Sequence, residues 1–355
     1  MSTCCKIFLE VTVLDMISLL KKLTDAPGVS GAETEVARVC AELLSEFCDK
    51  VYINNRGSVV GEIHGDGPGI LLDAHIDQVG FVVTYLAENG FVKVDRCGRV
   101  DERTLAGLPV TILGTEPVYG VISSVPPHLA SAADAGKAKP VTEIAIDTGL
   151  TDEDLKKFVS LGDRVVMNHK FGKLLGNEVT SGALDDRSGI AVLLRTVEIL
   201  KEHGVRPNLT VTFSVQEEEG GRGAATAVFD GEHEYAIAVD VSFAYTPGCT
   251  REETADIGKG PMIGISPIIC REVSDKLFAI AQEKDIPHQS EIMSGRTGTH
   301  ADEIAVTKTG IKTGIVSIPL KYMHTPCEVI DLTDLENSAQ LIAGFCEAVK
   351  NGGAN

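Results

Sequence analysis

The most constraining feature of the sequence is a regular alternation of apolar, strand-like runs with helix-like runs. In the second half of the chain, helix-like runs at 186–204, 272–285 and 334–350 are interspersed with strand-like runs at 208–216, 235–242 and 314–319. The first part has two helical patterns within 14–47 and then strand-like runs at 51–53, 58–63 and 69–76. Strands that alternate with helices are typical of α/β proteins, so we predict a mixed, mostly parallel sheet flanked by helices.

A different pattern interrupts this alternation in the middle of the chain. Residues 79–177 contain short β-rich runs at regular spacing, separated by Gly, Pro and Asp turns, and one short helix for which Thr151 is the predicted N-cap. The sequence therefore predicts an α/β domain formed by residues 1–77 and 178–355, with a small all-β domain inserted at 78–177. Near the start of the first domain, Ser30 and Glu33 have the spacing of a capping box.

The net charge of the chain limits its possible partners, and its cysteines indicate the cellular compartment. The chain has 32 Lys plus Arg against 51 Asp plus Glu, a net charge of −19, which argues against nucleic acid and anionic membranes as partners. The sequence has no run of 18 apolar residues, so it predicts no membrane span. Charged residues also interrupt the apolar stretch at the amino terminus. The nine cysteines are scattered without a CxxC pair, so we expect reduced thiols and a cytoplasmic location.

Acidic and imidazole side chains occur where the predicted strands end or a helix begins. They are His75, Asp77, Asp185, Asp186, Glu217, Glu218, Asp240 and His324. Because ligands bind at the carboxyl ends of strands in an open α/β sheet, we expect these side chains to converge. His and carboxylate ligands without Cys suit zinc, cobalt or manganese. There are more carboxylates than one ion needs, which favours two divalent ions that share a carboxylate.

Each of these segments, taken alone, also has an ordinary structural interpretation. An Asp pair before a helix is typical of an N-cap, a run of three Glu is typical of a solvated loop, and a single His is often a packed side chain. Only the joint pattern favours a metal site.

Five segments in order carry a resemblance to a known family. They are LLDAHIDQVGF (71–81), GALDDRSGIAV (182–192), FSVQEEEGGRGA (213–224), AIAVDVS (236–242) and VSIPLKYMHTP (316–326). They resemble the dinuclear metallo-aminopeptidases, a family of glutamyl, deblocking and tetrahedral (TET) aminopeptidases with FrvX-like and cellulase M-like members. The resemblance extends over nearly the whole chain from about residue 16, and it implies a zinc-peptidase-like fold for the α/β domain.

The resemblance also implies a role for each residue of the site. His75, Asp185 and Asp240 would hold one ion, Glu218 and His324 the other, and Asp185 would bridge the two. Asp77 would orient His75, Glu217 would be the general base, and the Asp185–Asp186 peptide bond would be cis. The implied cofactor is two divalent ions per chain, most often zinc or cobalt, with manganese as a third candidate.

The implied activity is hydrolysis of the first peptide bond of short peptides that have a free amino terminus. Glu217 would take a proton from the attacking water and deliver it to the leaving amine. The inserted domain would be a dimerisation domain, and the dimers would assemble into a tetrahedral dodecamer.

The loop before the last predicted strand departs from the family pattern. Relatives often have GTDA where this chain has Gly298-Thr299-His300-Ala301. The loop would line the side-chain pocket, so we predict Arg296, Thr299 and His300 as pocket residues. An Arg at position 296 would suit an acidic substrate side chain, and it is equally consistent with an exposed Arg on a glycine-rich loop.

Two other functions remain open at this point. A glycoside hydrolase would also use paired carboxylates, as the cellulase M name suggests, but sugar clefts favour stacking aromatics and this chain has 5% aromatic residues and no Trp. A non-catalytic assembly protein could keep the same fold, although the expected ligands and base are all present in the sequence.

Overall fold

The computed structural model describes residues 15–126, 128, 129, 131 and 136–352. Its first part leads from two helices into the edge and centre of a sheet. The elements are α1 (Met16–Asp25), α2 (Thr34–Leu44), β1 (Lys50–Ile53), β2 (Val59–Ile63) and β3 (Asp66–His75). From Ile70 onward β3 is buried, which explains why this strand is a continuous apolar run rather than an alternating one.

The middle part forms a small closed barrel. Its elements are β4 (Gly80–Leu86), β5 (Phe91–Cys97), β6 (Pro109–Leu113), β7 (Pro117–Ile122), β8 (Ile146–Asp147), α3 (Asp152–Phe158) and β9 (Arg164–Met167). The strands close in the order β4-β5-β8-β7-β6-β9 with antiparallel pairing around a separate apolar core. Thr151 accepts a hydrogen bond from the backbone of Asp154 and caps α3, as predicted.

The last part completes the main sheet and its helices. Its elements are β10 (Gly172–Lys173), β11 (Glu178–Ser181), α4 (Leu184–Glu202), β12 (Pro207–Ser214), α5 (Arg222–Ala227), β13 (Tyr235–Phe243), β14 (Met262–Ile265), α6 (Arg271–Glu283), β15 (Gln289–Ile292), α7 (Ala301–Ile304), β16 (Lys312–Leu320), β17 (Glu328–Asp331) and α8 (Leu332–Lys350). β10, β11 and β17 form a separate three-stranded sheet.

The main sheet has eight strands in the order β1-β2-β12-β3-β13-β16-β14-β15. Its four central strands, β12, β3, β13 and β16, are mutually parallel, whereas β2 pairs antiparallel with β12 and β14 pairs antiparallel with β16. This confirms the predicted mixed, mostly parallel sheet with a small all-β unit beside it. Parallel central strands also bring four carboxyl ends to one edge of the sheet, which is the geometry that a site there requires.

α4 and α8 cover one face of the sheet and form much of the largest apolar core. α4 is buried along most of its length, and its first turn includes Arg187, a fully buried cation. The guanidinium of Arg187 donates to the carbonyls of Leu23 and Ala26 at 2.7 and 3.1 Å, which ties the end of α1 to the start of α4.

The predicted capping box at Ser30 is wrong. α2 begins one residue after Glu33, and no side chain caps it. The Glu33 carboxylate instead accepts the backbone N–H of Gly31, and the Ser30 hydroxyl donates to Asp77. Ser30 thus supports the loop after β3 rather than a helix terminus, because a long-range carboxylate satisfies its hydroxyl better than the local backbone does.

Within the described residues, none of the helices combines the length and the apolar character needed to cross a bilayer.

Candidate metal centre

The predicted site residues lie together at the carboxyl edge of the main sheet. His75 ends β3, Asp240 lies near the end of β13, and His324 follows β16. Asp185 lies in the first turn of α4, and the Glu217–Glu218 pair follows β12. These strands are neighbours in the sheet, so residues far apart in sequence become adjacent.

One group of potential ligands consists of His75, Asp185 and Asp240. Their ligand atoms all lie within 4.8 Å of one another, and all three side chains are buried. The His75 Nε2 atom is 3.0 Å from Asp185 Oδ1 and 3.8 Å from Asp240 Oδ1. One imidazole nitrogen and two carboxylates at this spacing form a donor set suited to a divalent ion.

A second group consists of Asp185, Glu218 and His324, again within 4.8 Å. His324 Nε2 is 3.2 Å from Asp185 Oδ2 and 3.4 Å from Glu218 Oε1. Asp185 therefore directs one carboxylate oxygen to His75 and the other to His324. This is the arrangement expected of a carboxylate that bridges two ions.

The charges of the two groups favour a cation. Burial raises the pKa of Asp240 well above its usual range, and burial also raises the pKa of Glu218. Burial alone would lower the pKa of His324, but the contacts of its ring with Asp185 and Glu218 prevail and raise it to about 11. Buried carboxylates of this kind need a positive charge nearby. Without a metal, protonated imidazoles supply that charge; a divalent ion would supply it instead when the imidazoles lose their protons and bind the ion.

Asp77 fixes both His75 and the loop that carries the two Glu residues. Its side chain is fully buried, and its Oδ1 is 3.5 Å from His75 Nδ1. Its carboxylate accepts the backbone N–H groups of Glu217 and Glu218 at 2.9 and 3.2 Å, and the Ser30 hydroxyl at 2.5 Å. The carbonyl of Asp77 also lies 3.0 Å from His75 Nδ1, so the ring presents Nε2 to the site.

Glu217 lies beside these groups without belonging to either of them. Burial raises its pKa to about 7, with a further increase from the negative charges of Glu218 and Asp77 and an opposing effect of His75 and His300. A carboxylate with this pKa exchanges a proton near neutral pH, which suits general acid–base chemistry.

The backbone around the site adopts unusual conformations. The Asp185–Asp186 peptide bond is cis, as the resemblance implied. Three non-glycine residues at the site have left-handed backbone angles: Ala183 with φ of 57°, Gln216 with φ of 57° and His324 with φ of 62°. Such residues are concentrated at functional sites, where the surrounding structure holds them in place.

Sequence reasoning missed Glu328, at the start of β17. This side chain is 2% exposed, and its two oxygens accept the backbone N–H groups of Asp185 at 3.1 Å and His324 at 2.8 Å. One carboxylate therefore holds the backbone of two potential ligands. The Asp186 carboxylate, also buried, accepts the N–H of Gly189 near the start of α4. No local sequence pattern distinguishes Glu328 from an ordinary strand residue.

The predicted pocket residues have different surroundings. Arg296 is exposed, and Thr299 and His300 are buried. His300 immediately precedes α7, and its Nδ1 contacts the Asp73 carboxylate at 2.7 Å. A cleft of about 840 Å³ has a wall that includes Phe243, Leu320, Tyr322, Met323 and Thr325, the last two of which flank His324 in the sequence.

Comparison with known proteins identifies the family of the chain. The family profile described as M42 glutamyl aminopeptidase matches residues 57–341. The lysyl aminopeptidase of Pyrococcus furiosus is 30% identical over 337 residues, which cover 94% of this chain and 97% of that protein.

Two solved structures are similar over nearly their full length. An aminopeptidase of the archaeon Desulfurococcus kamchatkensis has a TM-score of 0.88 and 34% identity, with 95% of this chain and 96% of that chain covered. The TET1 peptidase of Pyrococcus horikoshii, which is described as assembling into a tetrahedron or a large octahedral shell, has a TM-score of 0.83 and 31% identity, with 93% and 99% covered. The chain therefore belongs to the M42 glutamyl aminopeptidase family of metal-dependent peptidases and has the aminopeptidase function of that family.

Proposed function

We propose that the protein removes the first residue of short peptides at a centre that holds two divalent ions. The observation that carries this proposal is the position of Asp185, whose two oxygens each face the imidazole of a different ligand group. His75, Asp185 and Asp240 would hold one ion, and Asp185, Glu218 and His324 the other. Zinc or cobalt suits these nitrogen and oxygen donors, with manganese as a third candidate.

When bound, such ions polarise the substrate carbonyl and make water acidic. The chain's own residues do the remaining work. Glu217 takes a proton from the attacking water and then delivers it to the leaving amine, so its carboxylate carries the same proton in both halves of the reaction. Asp77 holds the Glu217 backbone in place and orients His75.

Substrate binding is assigned to the cleft of about 840 Å³ beside His324, which is large enough for the first residues of a peptide. Its wall combines apolar side chains such as Met323 and Leu320 with hydroxyls such as Thr325. A free α-amine of the substrate would lie against one of the ions or a carboxylate of the centre, which would restrict cleavage to amino termini.

We also propose that the barrel mediates self-association into dimers and then a tetrahedral dodecamer. The barrel strand β7 buries alternate residues and exposes Tyr119 and Val121 at 60% and 37%. Exposed apolar side chains on a regular strand are suited to an interface between copies. The resemblance to a peptidase that forms a tetrahedron supports this assembly.

The decisive experiment for the chemistry is Glu217→Gln. We expect turnover of free-amine peptides to fall by about a thousandfold or more, because general base catalysis is lost, while metal analysis still gives about two ions per chain. Loss of both ions would show that Glu217 is a ligand and would contradict the assigned role. Peptides with a blocked amine serve as the substrate control, and equal rates on blocked and free peptides would contradict aminopeptidase action. Hydrolysis of a cellulose oligomer instead of peptides would favour the glycosidase alternative.

Assembly is tested separately by sedimentation of the native protein and of Tyr119→Lys. We expect a dodecamer for the native chain and smaller species for the variant. A native chain that sediments as a monomer would contradict the proposed assembly.

A further inference from the structure

A buried Asp–His pair lies behind the proposed metal centre and has no role in the chemistry described so far. Asp73 is on β3, two residues before His75, and is fully buried. Its Oδ2 is 2.7 Å from His300 Nδ1, and its Oδ1 accepts the hydroxyls of Thr212 and Ser214. Because the oxygens of a carboxylate accept hydrogen bonds, Nδ1 of His300 carries the proton and is the donor in its contact with Asp73.

The other nitrogen of His300 is the unusual feature. The residue is 3% exposed, and its Nε2 has no hydrogen-bond partner among the described residues. A buried polar atom without a partner is costly, and in a native protein it calls for an explanation such as a catalytic role, a bound water or an ion. The ring itself cannot turn away, because Asp73 holds its opposite side.

The surroundings of the ring indicate what its Nε2 serves. The His300 ring lies edge-to-face against the ring of His75, with centroids 6.1 Å apart. Glu217 and His300 also lie close enough for the charge of each side chain to influence the pKa of the other. Glu217 follows Ser214 by three residues, and Ser214 pairs with His75 in the sheet and donates to Asp73. The His300 ring thus contacts Asp73 and His75 and lies close enough to Glu217 for their charges to interact.

The loop around His300 is rigid enough for a positioning role. Asp302 accepts the backbone N–H and the hydroxyl of Thr297 at 2.9 and 2.7 Å. Thr299 accepts the N–H of Ala301 at 3.2 Å, which closes the turn that leads into α7. The imidazole is therefore fixed from both the loop and the sheet.

We propose that His300, held by Asp73, is a positioning residue for the general base: its Nε2–H donates to the Glu217 carboxylate through one bridging water molecule. This inference rests on the proposed function, since it requires Glu217 to carry the proton. The hydrogen bond would keep the Glu217 carboxylate aimed at the attacking water and later at the leaving amine. His300 then touches neither substrate nor metal ion.

The test compares His300→Gln with a matched control, His233→Gln. His233 is a half-buried histidine near the amino-terminal end of β13, at the opposite edge of the sheet, and its Nδ1 also lacks a partner among the described residues. For His300→Gln we expect kcat on a peptide substrate to fall about 10- to 100-fold, because a misplaced catalytic group costs about this much, with KM within about threefold and two ions retained. His233→Gln should keep native kcat.

Two readouts separate positioning from a merely structural effect. Because delivery of a proton to the leaving amine matters more for a peptide than for the matching p-nitroanilide, the loss in His300→Gln should be several-fold larger for the peptide. In a Glu217→Asp background, where the carboxylate is already displaced, His300→Gln should cost less than about threefold. Equal losses for the two substrates, full additivity of the two substitutions, or a rise in KM with native kcat would each overturn the proposal.

Asp73→Asn provides a second variant that keeps the size of the side chain. It should reproduce the kinetic pattern of His300→Gln, because it removes the carboxylate that holds Nδ1; native kcat for Asp73→Asn would overturn the proposal. The outcomes also distinguish this inference from the proposed function. An active Glu217→Gln protein would refute the proposed function, whereas an inactive Glu217→Gln protein with fully active His300→Gln would refute the positioning role alone.

Discussion

Glu328 gives the sharpest prediction about how the fold supports metal binding. Its two oxygens accept the backbone N–H groups of Asp185 and His324, so Glu328→Gln replaces one acceptor oxygen with an amide that also donates. One buried backbone N–H is left without its acceptor, at about 1–3 kcal/mol. If that energy holds the two ligands in place, one metal-binding step weakens by roughly 5- to 150-fold. Asp185 belongs to both groups of potential ligands but His324 only to the second, so we expect the second binding step to change more than the first.

The assay is a zinc titration of metal-free protein against a chromophoric chelator, with circular dichroism to confirm that the variant is folded. The matched control is Glu178→Gln, which removes a carboxylate from β11, the strand paired with β17, where it forms a partly exposed ion pair with Lys321. This control should leave both binding steps unchanged. If folded Glu328→Gln binds both zinc ions with the affinities of the native protein, the reasoning is refuted. The backbone of Asp185 and His324 would then need no support from Glu328.

Two further predictions concern stability. Arg187→Met should lower the free energy of unfolding by about 2–6 kcal/mol, because it leaves the buried carbonyls of Leu23 and Ala26 without their donor, at about 1–3 kcal/mol each. Arg271→Met, at an exposed ion pair within α6, should change it by less than about 0.5 kcal/mol, and equal urea midpoints for the two variants would contradict this. Burial raises the pKa of Asp334 to about 6 although it accepts two backbone N–H groups. The folded state then binds its proton more tightly than the unfolded state, so this residue's contribution to stability is greatest below about pH 4 and declines as the pH rises to about 6, by about 3 kcal/mol in all. The stability of Asp334→Asn relative to the native protein should therefore rise over that interval in urea titrations, and a constant difference would contradict the pKa assignment.

The sequence was informative about the fold where a physical pattern repeats along the chain. Buried parallel strands such as β3 and β13 leave continuous apolar runs, and amphipathic helices leave a periodic pattern, so the mixed sheet was predictable. The potential ligands His75 and Asp240 were also recognisable, because each lies at the end of such a run and parallel strands end at one edge.

The supporting residues were not predictable, because their partners are distant in sequence. Ser30 is 47 residues from Asp77, Asp185 is 143 residues from Glu328, and His300 is 227 residues from Asp73. At Ser30 the local pattern favoured a helix cap, and a long-range hydrogen bond replaced it. At Glu328 there was no local pattern at all, since a single Glu in a short strand is ordinary. Contacts of this kind depend on the packing of whole elements, which periodicity does not encode.

The central claim is that two ions share the Asp185 carboxylate. The most direct measurement is an anomalous difference map from crystals of the zinc-loaded protein, recorded at the zinc absorption edge. We predict two peaks about 3.5–4 Å apart, one beside His75 and Asp240, the other beside Glu218 and His324, with Asp185 touching both. A single peak, or two peaks of which only one contacts Asp185, would contradict the claim.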